Sequence, residues 1–150
     1  MGKVNVKMAD ISKKPVTLRE AVVEARIRLR EETIKLIREN KIPKGDVLTI
    51  AKCAGILGAK KTGELIPLCH PLPLEYVEVD LKLEKDAILI KATCKTESKT
   101  GVEMEAMLAA CISALTIYDM CKFIERGAVI EQIKLTEKRG GKSGVYIRGS

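Results

Sequence analysis

The sequence predicts an α+β domain of ferredoxin-like type, an antiparallel sheet with helices packed on one face. Three observations carry that expectation. Apolar and charged residues alternate over residues 20–30 and again over 77–84, so half-buried strands lie on either side of a helical stretch. A Lys85-Asp86 turn joins the second of these to a third strand, which reads as a hairpin. A long apolar helix followed by another strand completes a split βαβ order.

Each element has a local reason. Residues 1–16 are polar and are expected to form a mobile arm ahead of a single domain spanning 17–150. Thr17 with Glu20 makes a capping-box pattern, which favours a helix. However, Ala21, Val23, Ala25, Ile27 and Leu29 alternate with Glu20, Glu24, Arg26, Arg28 and Arg30. A period of two over that length makes residues 17–30 a strand. "EETIKLIREN" is a short helix, and "KIPKGD" a turn. Asp46 can cap a helix reaching about Lys61, with Val47, Ile50, Ala54 and Leu57 along one side. Residues 77–84 and 87–95 form the hairpin, and 102–123 the long helix. A strand over 128–135, the glycine-basic loop "KRGGKSG" and a short strand over 145–148 close the chain.

Composition narrows the function classes. Hydrophobic residues make up 46% and charged residues 31% of the 150, as in a globular chain. With no Trp, one Phe and three Tyr, the core must be aliphatic. No uninterrupted apolar run is long enough for a membrane span. The opening "MGKVNVKMADISKK" lacks the apolar stretch of a secretory signal, and Val6 stands where myristoylation would want Ser or Thr. The five cysteines are dispersed without a CxxC, which predicts a reduced, cytoplasmic protein. A net charge of +7 points to an anionic partner. Stacking of single-stranded bases needs aromatics, so the charge favours a small phosphorylated ligand over nucleic acid. Such composition also occurs in proteins from heat-loving organisms.

Four clusters could do chemistry. "LIPLCHPLPL", residues 65–74, carries the only histidine and three of the five prolines. Proline excludes helix interior and central strand, so Cys69 and His70 sit on a stiff extended ledge. That ledge is either a rigid crossover or a binding edge. Glu103 and Glu105 stand at the mouth of the long helix, where negative charge is favourable in any case. Asp119 and Lys122, three apart on the same helix, form an ordinary ion pair or, among Ile117, Met120, Cys121 and Phe123, a buried functional one. The last cluster is basic: Lys44 before a glycine, Lys60-Lys61, and Lys142 in "GGKSG". Here the backbone can approach an anion, although Glu137 stands where a Walker A loop needs glycine. Glu105 and Asp119 are fourteen residues apart, roughly 21 Å on one helix at about 1.5 Å per residue. One compact ligand cannot touch both in one subunit, which predicts a composite site between subunits. Two rivals are weaker. An RNA-recognition module would need aromatics on its strands, where Tyr76 is the sole candidate. A metal-binding protein would need a second ligand pair beside Cys69 and His70.

Together, "KGD", "AGILGAKKTGELIPLCHPLPL", "KTGVEMEA", "ALTIYDMCK" and "GGKSG", in this order, resemble the molybdenum cofactor biosynthesis protein C family, the cyclic pyranopterin monophosphate synthases. The resemblance runs from about Asp10 to Gly144. It implies a ferredoxin-like subunit in a hexamer, a trimer of dimers, with sites at the dimer interface. It implies a pyrophosphate-releasing lyase that converts a GTP-derived 3′,8-cyclised dihydroguanosine triphosphate, supplied by a partner radical SAM enzyme, to cyclic pyranopterin monophosphate. No redox cofactor is required. A divalent cation such as Mg²⁺ could accompany the triphosphate, with no protein metal site. By motif, Asp119, Lys122 and Lys44 match the catalytic positions. Leu68, Cys69, His70, Glu103, Met104 and Glu105 match substrate-binding ones. Arg19, Lys60, Lys61 and Lys142 match basic positions suited to the triphosphate. Two departures are visible. Lys61 replaces a usual arginine, keeping the charge but losing the bidentate fork. "MEAMLAA" replaces a more usual Met-Glu-Ala-Leu-Thr.

Overall fold

A computed structural model describes residues 2 and 4–149. The elements in order are β1 (Thr17–Arg28), α1 (Glu31–Arg38), α2 (Val47–Lys60), α3 (Thr62–Leu65), β2 (Tyr76–Leu83), β3 (Ala87–Ser98), α4 (Glu103–Cys121), β4 (Val129–Arg139) and β5 (Tyr146–Ile147). The five strands form one sheet in the order β2-β3-β1-β4-β5. Every pairing is antiparallel. This is the ferredoxin-like arrangement with one added edge strand.

Period-two patterning puts Ala21, Val23, Ala25 and Ile27 of β1 on the helix-facing side, beside Ile88, Ile90, Ala92 and Cys94 of β3. All eight are buried, and with α4 they make an aliphatic core. The outer sheet face instead carries rows of alternating charge. Asp80, Lys91, Glu24 and Lys134 are successive cross-strand neighbours.

The expected strand β1 is correct but ends two residues early, and β4 extends further than the alternation indicated, to Arg139. Two register shifts in its pairing with β1 break the period that the sequence would have to show. The expected apolar stripe of α2 is also corrected. The helix buries Val47, Ala51, Gly55, Gly58 and Ala59, while Ile50 and Leu57 stay 46% and 56% exposed. Close approach to α4 decides this. A Cβ on Gly55 would collide with the Ser113 hydroxyl and the Ala109 carbonyl, and one on Gly58 with Ile112. Ser113 donates to the Ala51 carbonyl across the same contact (2.8 Å). Small residues therefore face α4, while Ile50 and Leu57 point outward.

Among the described residues, α4 alone is long and apolar enough to cross a membrane. Its alanines Ala106, Ala109, Ala110 and Ala114 are fully buried against the sheet and α2, and half of its most apolar stretch lies inside the fold.

Candidate functional site

Two constellations form at opposite ends of α4. At its C-terminal end, Lys44 arrives from the α1–α2 turn, which Gly45 closes at φ +115. Lys44 Nζ donates to Asp119 Oδ2 (2.9 Å) and to the Asp119 carbonyl (3.2 Å). Lys122 Nζ approaches Asp119 Oδ1 at 3.1 Å. Both lysines hold the Asp119 carboxyl below its ordinary range, Lys44 most strongly. Lys44 also lies over the Phe123 ring, 5.4 Å from its centroid. The expectation of a buried pair is corrected here. The Asp119 side chain is 54% exposed, because Ile117, Met120 and Cys121 take the core positions of this turn and Phe123 turns to solvent.

A distant carboxylate fixes the chain just beyond this cluster. Glu125 Oε1 accepts from the Arg30 amide (2.9 Å) and the Thr33 hydroxyl (2.8 Å), serving the start of α1 that Arg30 itself does not cap.

At the other end of α4, the proline ledge folds back on α3. Pro71 packs so closely on Gly63 that a Cβ there would lie 3.0 Å from the Pro71 backbone. The Thr96 hydroxyl donates to the Pro73 carbonyl, which ties the ledge to β3. Cys69 and His70 are half-buried, and Leu68 and Met104 lie exposed beside them. Glu105 is 2% exposed, and its Oε1 has no hydrogen-bond partner. Burial raises its carboxyl from 4.5 to about 7, against a hydrogen bond from its own backbone, with Glu103 adding to the rise. Burial, then Glu105 and Glu103, raise the Cys69 thiol, and burial with Glu105 pushes Cys94 up to about 12. Glu105 therefore lies between ledge and sheet as an acid that still holds its proton at mildly acidic pH and is about half protonated near pH 7.

A pocket of about 510 Å³ opens beside this end, lined by Lys14, Thr17, Arg19, Lys138, Lys142 and the Gly141 backbone, among others. Glu103 reaches it as well but is held by Lys138 Nζ at 2.6 Å. Arg19 continues the buried row of β1 and is 6% exposed.

The structure thus brings Lys44, Asp119 and Lys122 together at one end. It gathers Leu68, Cys69, His70, Met104, Glu105, Glu103, Arg19 and Lys142 at the other. It does not bring Lys60 and Lys61 into the pocket. They lie at the end of α2, where Lys61 faces Glu64 at 3.6 Å. Sequence reasoning missed Lys14, Thr17 and Lys138. For Thr17 a signal existed, since it stands two before Arg19 and so shares its face of the strand.

The MoaC family model matches residues 8–141. The chain belongs to the MoaC family. It is similar to the cyclic pyranopterin monophosphate synthase of Thermomicrobium roseum, with 54% identity over 144 residues that cover 95% of this chain and 87% of the relative. The two ends of α4 both fall inside the matched region.

Proposed function

We propose that this protein is a cyclic pyranopterin monophosphate synthase in molybdenum cofactor biosynthesis. It acts as a lyase on the 3′,8-cyclised dihydroguanosine triphosphate and releases pyrophosphate. The observation that carries this reading is the Lys44–Asp119–Lys122 cluster, which the fold assembles from segments 75 residues apart. An ionised carboxylate flanked by two ammonium groups supplies one proton acceptor and two donors in a few ångströms, as the ring opening and pterin closure require. Attack of a sugar hydroxyl on the α-phosphate forms one P–O bond and breaks another. The leaving pyrophosphate carries the electron pair away, and the lysines stabilise the developing charge. His70 and Glu105 would hydrogen-bond the polar base edge. A divalent ion would enter on the triphosphate as part of the substrate, because Glu103 is the one carboxylate among the described residues lining the pocket and Lys138 holds it.

The two ends of α4 lie roughly 21 Å apart, at about 1.5 Å per residue, so one substrate draws them from two subunits. The outward face of the helix layer supports this arrangement, exposing Ile50, Leu57, Leu65 and Leu115. A trimer of dimers in the cytoplasm, fed by the radical SAM enzyme that makes the nucleotide, completes the reading.

Incubation with the cyclised nucleotide should yield pyrophosphate and the cyclic pterin phosphate, and their absence would refute the assignment. Mixing inactive Lys122→Ala subunits with inactive His70→Ala subunits should restore turnover, since one interface then holds both intact halves. No restoration after demonstrated subunit exchange would sink the composite site.

A further inference from the structure

The one phenylalanine of the chain lies outside its core. Phe123 stands just past the end of α4 and is 78% exposed. Its ring lies under the Lys44 ammonium, with Nζ 5.4 Å from the ring centroid. That is inside the distance of about 6 Å at which a cation is drawn to the negative face of an aromatic ring. A lysine ammonium has three donors and no acceptor. Two acceptors of Asp119 face this one, Oδ2 at 2.9 Å and the backbone carbonyl at 3.2 Å. The ring adds a third contact to the same ammonium.

Both partners spring from fixed backbone. The Ile124 and Glu125 amides donate to the carbonyl of the buried Cys121 (2.9 Å each), and the Glu125 carboxylate is itself tied to the start of α1 by the Arg30 amide and the Thr33 hydroxyl. The turn that carries Phe123 is therefore closed. On the other side, the Gly45 amide donates to the Ile42 carbonyl (2.9 Å), and Asp46 caps α2. What remains loose is the stem of Lys44, a flexible four-carbon chain that loses much rotamer freedom when its head is held. Its side chain is 36% exposed, so water competes for the ammonium. The ring face opposes that competition, because it attracts the cation without accepting its proton. Lys122 differs. It meets the same carboxylate at 3.1 Å, but among the described residues no aromatic ring lies under it.

We propose that Phe123 is a positioning residue, whose ring face holds the Lys44 ammonium on Asp119 and so sets one charge of the cluster in place before substrate arrives. The inference rests on the synthase reading for the reaction that Lys44 serves, whereas the hold of ring on ammonium stands without it. A charge already in place needs no reorganisation as negative charge develops on the substrate. Loss of the ring therefore acts on rate rather than on substrate affinity. Leucine at this position keeps an apolar side chain but has no negative face, and tyrosine keeps the face.

The test compares Phe123→Leu with Phe123→Tyr in the full chain. Acylation by dilute acetic anhydride, read lysine by lysine in peptide mass spectra, reports how firmly Lys44 is held, and Lys85, whose side chain is 82% exposed, serves as internal reference. Phe123→Leu should speed acylation of Lys44 by about two- to fivefold, the scale of an exposed cation–π contact. Lys122, which shares the carboxylate but not the ring, should not change, and Phe123→Tyr should keep Lys44 slow. With the cyclised nucleotide, Phe123→Leu should lower kcat by about the same factor with KM unmoved, and Phe123→Tyr should restore it. The ring is exposed, so circular dichroism should show both variants folded. Unchanged acylation of Lys44 in Phe123→Leu, an equal rise at Lys122, or an equal rise in both variants would overturn the proposal, as would a change confined to KM. The expected acylation pattern, in a protein that does not convert the cyclised nucleotide, would uphold the hold of Phe123 on Lys44 and refute the synthase reading. Turnover of the nucleotide with acylation insensitive to Phe123 would do the reverse.

Discussion

Asp119 and Glu105 are two carboxylates on one helix, and the protein drives them in opposite directions. Asp119 lies in solvent between two lysines that keep it ionised. Glu105 lies under the proline ledge, where burial lifts it to about 7. Both are carboxylates on the same helix with similar ordinary values, so the difference comes mainly from surroundings: charged partners favour the anion, and lost hydration favours the acid. A site drawing one residue from each end would combine an ionised carboxylate with one that keeps a proton up to about pH 7.

The largest expected effect is on rate. Asp119→Asn and Lys122→Ala should each lower kcat by about 10²–10⁴-fold, the range for removing a positioned acid or base. Single-turnover measurements check this, and a loss confined to KM would mean that the cluster only binds.

Glu105 sharpens the contrast through stability. Its folded value is raised, so between pH 4.5 and about 7 the folded chain keeps a proton that the unfolded chain has lost. Stability therefore falls as pH rises through that window and levels above it. Glu105→Gln should flatten the slope and raise stability above pH 7 by up to about 3 kcal/mol. Denaturant unfolding at several pH values reads this directly, and an unchanged slope would mean that Glu105 is ionised in the fold.

Removing the carboxylate beyond the exposed end should cost less. Glu125→Ala strands the Arg30 amide and the Thr33 hydroxyl, a loss of about 1–3 kcal/mol by equilibrium unfolding. The smallest effect is expected at Asp119 itself. Its ion pairs are exposed, so Asp119→Asn should leave the melting temperature essentially unmoved despite its large loss of rate. A large drop in Tm would assign the cluster a structural role.

Much of this was legible in the chain. Alternation in β1 and β2 located the strands, and the Asp46 cap located α2, whose Thr49 amide bonds Asp46 at 3.2 Å. The ledge was readable from its prolines, and Asp119 with Lys122 from their spacing of three. Less legible was which face of α2 is buried. Glycine carries no hydrophobic signal, yet Gly55 and Gly58 decide how near α4 can come. The extension of β4 was hidden by bulges, which displace the period of two.

The sequence by itself determined the strand and helix order, the aliphatic core, the stiffness of the ledge and the 14-residue separation on α4. These follow from local stereochemistry and from the period at which apolar residues recur. Only the tertiary structure decided that Lys44 meets Asp119 and that this meeting is exposed. It also decided that Glu105 is buried without a full set of partners, and that Lys14 and Thr17 share a pocket with Arg19. Those facts depend on hydration and on distances between segments remote in the chain, and no local pattern encodes either.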